Sequence, residues 1–173
     1  TDHMKTFNQY IAEAVEFLDW KEINQIIKKG YVMTVQPWGQ DVSWKMKRTS
    51  GKLHADVEPN TASDTKKMKD VMGFGSEFKD ATYTPVVVKV DNRKFAAALM
   101  NVPHAGSTTT PLGKNAKNLS GGISNVANSN YIKYNEVTGH FCLHFRGSIR
   151  HTDNETDSKA QNAINLIRVA DGT

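Results

Sequence analysis

The stretch GHFCLHFRGSIRH, residues 139–151, gathers the side chains of this chain best suited to chemistry near neutral pH. It holds the only cysteine, Cys142, with His140 two residues before it and His144 two residues after, and it closes on His151. In an extended strand, side chains alternate between faces. His140, Cys142 and His144 would then share one side, and Phe141, Leu143 and Phe145 the other. A thiol attacks a carbonyl carbon well only as a thiolate, and a flanking imidazole can both depress its pKa and take its proton. The spacing therefore predicts a cysteine nucleophile with a histidine base. The plainer reading is a buried cysteine packed as a small hydrophobe, beside histidines hydrogen-bonded within a sheet.

Two further segments supply partners. "KLHADVEP" sets His54 and Asp56 two residues apart, which presents both to one side of an extended backbone. "NVPHAGS" sets His104 just past an apolar run, where strand ends deliver functional groups. Imidazoles, a carboxylate and a thiolate are also zinc ligands. A second chemistry is therefore a metal hydrolase in which His54 and Asp56 are joined by one or two of His104, His140 and His144. It would need a separate general base, for which Glu58 is at hand.

These residues need elements to carry them. Phe7, Tyr10, Ile11, Ala14, Val15 and Leu18 recur at helical spacing, predicting a helix over 5–18 that could link to an upstream domain. Asp19 reads as the N-cap of a second helix, with Glu22 as its capping-box partner and Gly30 as its stop. From Tyr31 the period changes to two, giving strands over 31–36 and 42–48 joined by a turn at 37–41. Residues 49–60, with HADVEP among them, read as a polar connection. A capped helix follows from about Thr61 to Met72. "PVVVKV" and "FAAALM" flank Asp91-Asn92-Arg93-Lys94 as a hairpin of buried strands.

Residues 105–136 are rich in Ser, Asn and Gly without periodicity, and long loops of this kind often act as lids. A strand over 139–145 and a last helix from near Asp153 or Thr156 complete the chain. The order predicts a single α+β domain over 5–173, an antiparallel or mixed β-sheet with flanking helices and one long loop. Thr1-Asp2-His3-Met4 reads as a tag remnant, which leaves any signal peptide outside the chain.

A length of 173 residues suits one domain with a full core. The net charge of +4 is mild, and its concentrations, at Lys45, Lys47, Arg48 and Lys52 and at Lys66, Lys67 and Lys69, are modest. A nucleic-acid binder usually shows a denser basic stripe interleaved with aromatics, so nucleic acid is not an expected partner. A mild positive charge suits an anionic polymer such as a bacterial wall. No run approaches the roughly 18 apolar residues of a membrane helix, so no membrane span is expected. A lone cysteine excludes an internal disulfide.

"SGKLHADVEPNTASDTKKMK", "LMNVPHAGS" and "GHFCLHF" together resemble a bacterial cell-wall-associated domain over most of residues 19–167. Its marks are H-A-D-V-E-P, M-N-x-x-P-H-x-G and G-H-x-C-x-H-F, the second met here with one residue, Val102, between Asn101 and Pro103 instead of two. The resemblance implies a secreted protein, extracellular or held in the wall, set beside peptidoglycan-binding repeats. A more distant resemblance is to L,D-transpeptidases, cysteine enzymes with a histidine-glycine motif followed by S-x-G-C-x-R. His104 with Gly106 is similar to the first motif, and His140-Phe141-Cys142 to the second. Phe141 stands in place of the glycine and His144 in place of the arginine. In another register Gly147-Ser148-Ile149-Arg150 matches G-C-I-R, with serine for cysteine.

The function expected from these likenesses is L,D-transpeptidase-like acyl transfer or peptide hydrolysis on peptidoglycan stem peptides or another wall polymer, with no cofactor. Cys142 would attack and His104, His140 or His144 would move the proton. Ser107, Gly121, Gly122, Ser148 and Arg150 would contact substrate, the glycines donating to the oxyanion. The loop 105–136 would cover the acyl donor. The alternatives are a zinc-dependent peptidoglycan hydrolase and a non-catalytic wall-binding module, in which Trp38 and Trp44 could stack on sugar rings, although Trp44 reads first as a core residue.

Overall fold

The computed structural model describes residues 14–170. Its frame is a closed barrel. The six strands β2 (Val32–Pro37), β3 (Trp44–Ser50), β4 (Ala55–Pro59), β5 (Tyr83–Val90), β6 (Arg93–Met100) and β9 (Phe141–His144) run in the order β6-β5-β2-β3-β4-β9. The ring closes where β9 also pairs with β6, Leu143 opposite Leu99. A short strand β1 (Val15–Glu16) joins the outside of β6 in parallel, and the barrel pairings themselves are antiparallel, so the sheet is mixed. Closure leaves the barrel without the unpaired edges that an open sheet must protect.

Strand alternation decides what fills the interior. Met33 and Val35, Trp44 and Met46, Ala55 and Val57, Val86 and Val88, and Phe95, Ala97 and Leu99 point inward to meet Phe141 and Leu143. Each large side chain so buried contributes roughly 1.5–3 kcal/mol. Helix α1 (Trp20–Ile26) packs Trp20 and Ile23 into the same core, and Trp20 stacks on Phe145 with ring centroids 6.2 Å apart. On the outer side of β6, Ala96 and Ala98 let α3 (Ser158–Ala170) approach closely through Ala160, Ala163, Ile164 and Ile167. That strand is buried on both faces, as its unbroken apolar run predicts.

Three expectations change. Of the helix expected over 5–18, residues 5–13 lie outside the described residues, and Val15–Glu16 is strand β1 rather than helix. Asp19 does sit at the N-cap position, but its side chain caps nothing: Oδ1 accepts from Arg146 Nε at 2.7 Å. The most consequential change is HADVEP. Its Ala55–Pro59 is a buried barrel strand between β3 and β9, not a connection. Its alternation is masked because the outward residues, Asp56 and Glu58, are acidic yet buried. Helix α2 (Ala62–Met72) starts as expected, with Thr61 Oγ1 accepting from Asp64 N at 3.2 Å.

The polar loop is stitched by asparagines. Asn128, buried, accepts from Ser107 N and Asn130 N and donates to Ser107 O and Thr110 O. The two-stranded ribbon β7 (Asn115–Ala116) and β8 (Val126–Ala127) forms within it. Glu58 accepts from Tyr131 N and Ile132 N, both at 3.2 Å, and Asn135 Nδ2 donates to Pro59 O at 2.9 Å. The loop is thereby moored to the outside of β4.

Candidate functional site

The site lies on the outer face of the barrel wall made by β4 and β9. Phe141 and Leu143 enter the barrel, so Cys142 and His144 must face out, and His140 continues their row. On β4 the same alternation turns Asp56 outward, directly opposite Cys142 in the strand register. His54 precedes β4 and His104 follows β6, and both are carried to the same place. These six side chains are all buried, yet together they line one cavity of about 650 Å³. Phe78, Tyr83, Ile123, Val126, Arg150, His151 and Asp157 contribute to its walls. The volume lies within the range of small-ligand pockets, and one polar cluster in a largely apolar setting is their usual character.

His104 is fixed from three sides. Its backbone exchanges hydrogen bonds with His140, N to O at 3.0 Å and O from N at 2.9 Å. Its Nδ1 donates to Val102 O at 2.9 Å, since a carbonyl oxygen can only accept. That fixes the tautomer of the neutral ring and turns the Nε2 lone pair toward Cys142 Sγ, 3.6 Å away. Phe78 meets the ring edge-on at 4.7 Å. The close approach depends on Gly139, which has φ +100°, because a β-carbon there would lie 2.3 Å from His104 O. A second glycine, Gly121, packs against the histidine itself, where a β-carbon would lie 2.5 Å from His104 Cβ.

The other side of the cluster is held differently. His54 Nδ1 donates to Ile149 O at 2.9 Å, and its Nε2 lies 3.2 Å from Asp56 Oδ1. The ring stacks on His144 with centroids 4.5 Å apart and meets His151 edge-on at 5.1 Å. Asp56 also accepts from Ser50 Oγ at 3.3 Å and faces His140 Nε2 at 3.8 Å. Among the described residues, the Nδ1 atoms of His140 and His144 are buried without a hydrogen-bond partner. Such orphans are uncommon in native interiors and call for an explanation.

Burial dominates the electrostatics. It pushes the Cys142 thiol up from its ordinary pKa, and the opposing pull of His54 does not overcome it. The expectation that flanking imidazoles would depress this thiol is therefore corrected. His104 is lowered to about 3, first by burial and then by His140 beside it, and His144 is lowered to about 3 by burial and by His54. Asp56 runs the other way. Burial would raise it, but His140, His54 and His104 together hold its carboxyl below the usual range. Burial would lower His54, but Cys142 and Asp56 raise it to about 11. At neutral pH the cluster thus rests as a neutral thiol and neutral His104, His140 and His144 around a His54 imidazolium paired with the Asp56 carboxylate.

The structure brings together Cys142, His140, His144, His104, His54 and Asp56, and Arg150 reaches the cavity wall. The Arg150 guanidinium is already engaged, with Nε 3.2 Å from Asp153 Oδ1 and Nη1 3.9 Å from Asp157 Oδ2. Ser107, Gly121, Gly122 and Ser148 do not line the cavity. Ser107 Oγ accepts from Thr109 N and Thr110 N, and Ser148 Oγ, buried, accepts from Phe145 N at 2.9 Å. Both hydroxyls serve their own turns. Glu58 also lies outside the cavity lining and moors the loop, which removes it as a base for metal chemistry. Sequence reasoning missed Tyr83 and Asp157, whose positions across from β9 depend on barrel closure and the docking of α3.

Among the described residues, two groupings could hold a metal ion: His54, Cys142 and His144, and His54, Asp56 and His151, with ligand atoms in each set within 4.8 Å of one another. Among the described residues, no helix is long and apolar enough to cross a membrane. Comparison with protein-family models, curated proteins and solved structures found no match for this chain.

Proposed function

We propose that this chain is a cysteine-dependent acyl-transfer enzyme acting on peptides of the bacterial cell wall, L,D-transpeptidase-like in its chemistry. One observation carries the reading: Cys142 Sγ lies 3.6 Å from His104 Nε2, while His104 Nδ1 is tied to Val102 O. A nucleophile, a base and a group that orients the base are the parts that covalent acyl transfer requires. The wall-peptide substrate rests on the resemblance of HADVEP, MNVPHAG and GHFCLHF to a wall-associated domain.

The dyad rests neutral, so it does not present a preformed thiolate. The thiol proton moves to His104 Nε2 as sulfur bonds to the carbonyl carbon of the substrate, and positive charge appears on the ring. Asp56 favours that charge, acting on His104 through the cluster's electrostatics. The imidazolium then gives its proton to the departing amine, leaving a thioester on Cys142. Water or a second amine attacks the thioester, and His104 again takes the proton. His140 holds the backbone of His104 and is a positioning residue. The cavity of about 650 Å³ receives the donor chain beside the sulfur.

The test is turnover of synthetic stem peptides, followed by release of the leaving amine. Cys142→Ala should abolish it, and His104→Ala should lower kcat/KM by about 100- to 10,000-fold, the usual worth of a positioned acid–base group. Undiminished turnover by Cys142→Ala would refute the reading. Binding of wall fragments without turnover by any form would identify a binding module instead.

A further inference from the structure

The base reading uses one side of Cys142 and leaves the other unexplained. On that side His54 and His144 approach the same sulfur, and the three ligand atoms lie within 4.8 Å of one another. His54 already donates Nδ1 to Ile149 O, so the nitrogen it can offer is Nε2, which a metal would take over from its pairing with Asp56 Oδ1 at 3.2 Å. Metal-bound histidines commonly have their second ring nitrogen held in this way. His144 carries a buried Nδ1 with no partner among the described residues. Cys142 and His144 sit two apart on β9, and His54 leads into β4, which is hydrogen-bonded to β9. The three donors therefore stand on two paired strands, while the cavity leaves room for a fourth ligand.

We propose that His54, Cys142 and His144 form a binding site for a zinc-class dication, and that its occupation withdraws the nucleophile from His104. Three protein ligands drawn from thiolate and imidazole, with an open fourth position, match the pattern of open zinc sites. Tetrahedral zinc with bonds of about 2.0–2.3 Å sets donors about 3.3–3.7 Å apart. The observed separations, within 4.8 Å, leave about 1 Å for the side chains to close. On binding, the Cys142 S–H bond and the His54 Nε2–H bond break, sulfur–metal and nitrogen–metal bonds form, and both protons leave to solvent. The sulfur lone pair that would attack substrate is then engaged. The second half of the proposal rests on the thiol reading above, whereas the binding site does not.

The test begins with chelator-treated protein titrated with Co²⁺ and then with Zn²⁺ against a chromophoric competitor. One equivalent should bind, with a sulfur-to-cobalt charge-transfer band. Cys142→Ser and His144→Ala should each weaken zinc by about 100-fold or more, and His151→Ala and His104→Ala should change it by less than about threefold. His144→Gln serves as a second variant, and circular dichroism checks that each protein is folded. Zinc should block bimane labelling of Cys142 in the unaltered protein and fail to do so at the same concentration in His144→Ala. Absence of binding, or loss of binding in His151→Ala or Asp56→Asn with His144→Ala unaffected, would overturn the site. If zinc binds as described but no form turns over peptide, the metal site stands and the acyl-transfer reading falls. If peptide is turned over and zinc does not bind, the reverse holds.

Discussion

Gly139→Ala isolates the contact that holds the base beside the nucleophile. Gly139 has φ +100°, and an added β-carbon would lie 2.3 Å from His104 O and 2.5 Å from Ser120 Oγ. Gly113, at φ +79° with nothing within 4 Å, provides the control. Both substitutions place alanine in left-handed backbone, costing roughly 1–2 kcal/mol. Only Gly139→Ala must also break the reciprocal His104–His140 backbone pair, made at 3.0 and 2.9 Å. Each bond is worth about 1 kcal/mol net, and up to about 3 where the partner is left buried and unpaired. Urea unfolding should therefore show Gly139→Ala less stable than Gly113→Ala by about 2–4 kcal/mol. His104 would also shift against Cys142, and a displacement near 1 Å costs about 100-fold in rate. Equal stability losses at the two positions, with equal peptide turnover, would refute the claim that Gly139 seats the base.

Other consequences can be measured directly. Glu58 is raised from 4.5 to about 7, chiefly by burial. Its proton is held more tightly in the folded state, so its contribution to stability is present below pH 4.5 and is lost as pH rises through 7. At about 1.4 kcal/mol per pH unit, denaturant melts should show about 3 kcal/mol lost across that window. The stability difference from Glu58→Gln should change by the same amount, and a constant difference would count against the shift. The raised Cys142 thiol should alkylate with iodoacetamide at a midpoint above the roughly pH 8.5 of free cysteine, and a lower midpoint would contradict the neutral dyad. Asn128→Ala removes four hydrogen bonds from the loop. It should cost about 1–3 kcal/mol and speed hydrogen exchange over residues 107–130, and unchanged exchange would contradict the mooring.

How legible the site was depended on which physical signal each residue carried. The split of Phe141 and Leu143 from Cys142 and His144 follows from period two and needs no tertiary knowledge. The same rule failed on HADVEP, because Asp56 and Glu58 are acidic on a face that burial would ordinarily make apolar. Their partners, His54 and the amides of Tyr131 and Ile132, come from distant sequence. Barrel closure was equally hidden, since the pairing of β9 with both β4 and β6 is a long-range choice that local patterns do not encode. The direction of the thiol shift was misjudged for a related reason. Spacing shows that imidazoles are near, but only the fold shows that burial outweighs them. Ser148 and Ser107 looked available because a hydroxyl's use within its own turn is invisible until the turn is drawn.

The most direct test of the thiol–imidazole account is intact-protein mass spectrometry after mixing metal-free protein with a stem-peptide donor. The account expects an adduct equal to the donor minus its leaving amine, localised by digestion to Cys142. It should be released by hydroxylamine, form about 100-fold or more slowly in His104→Ala, and be absent in Cys142→Ala. Turnover of the same peptide without any adduct on Cys142, under conditions that trap thioesters, would contradict it.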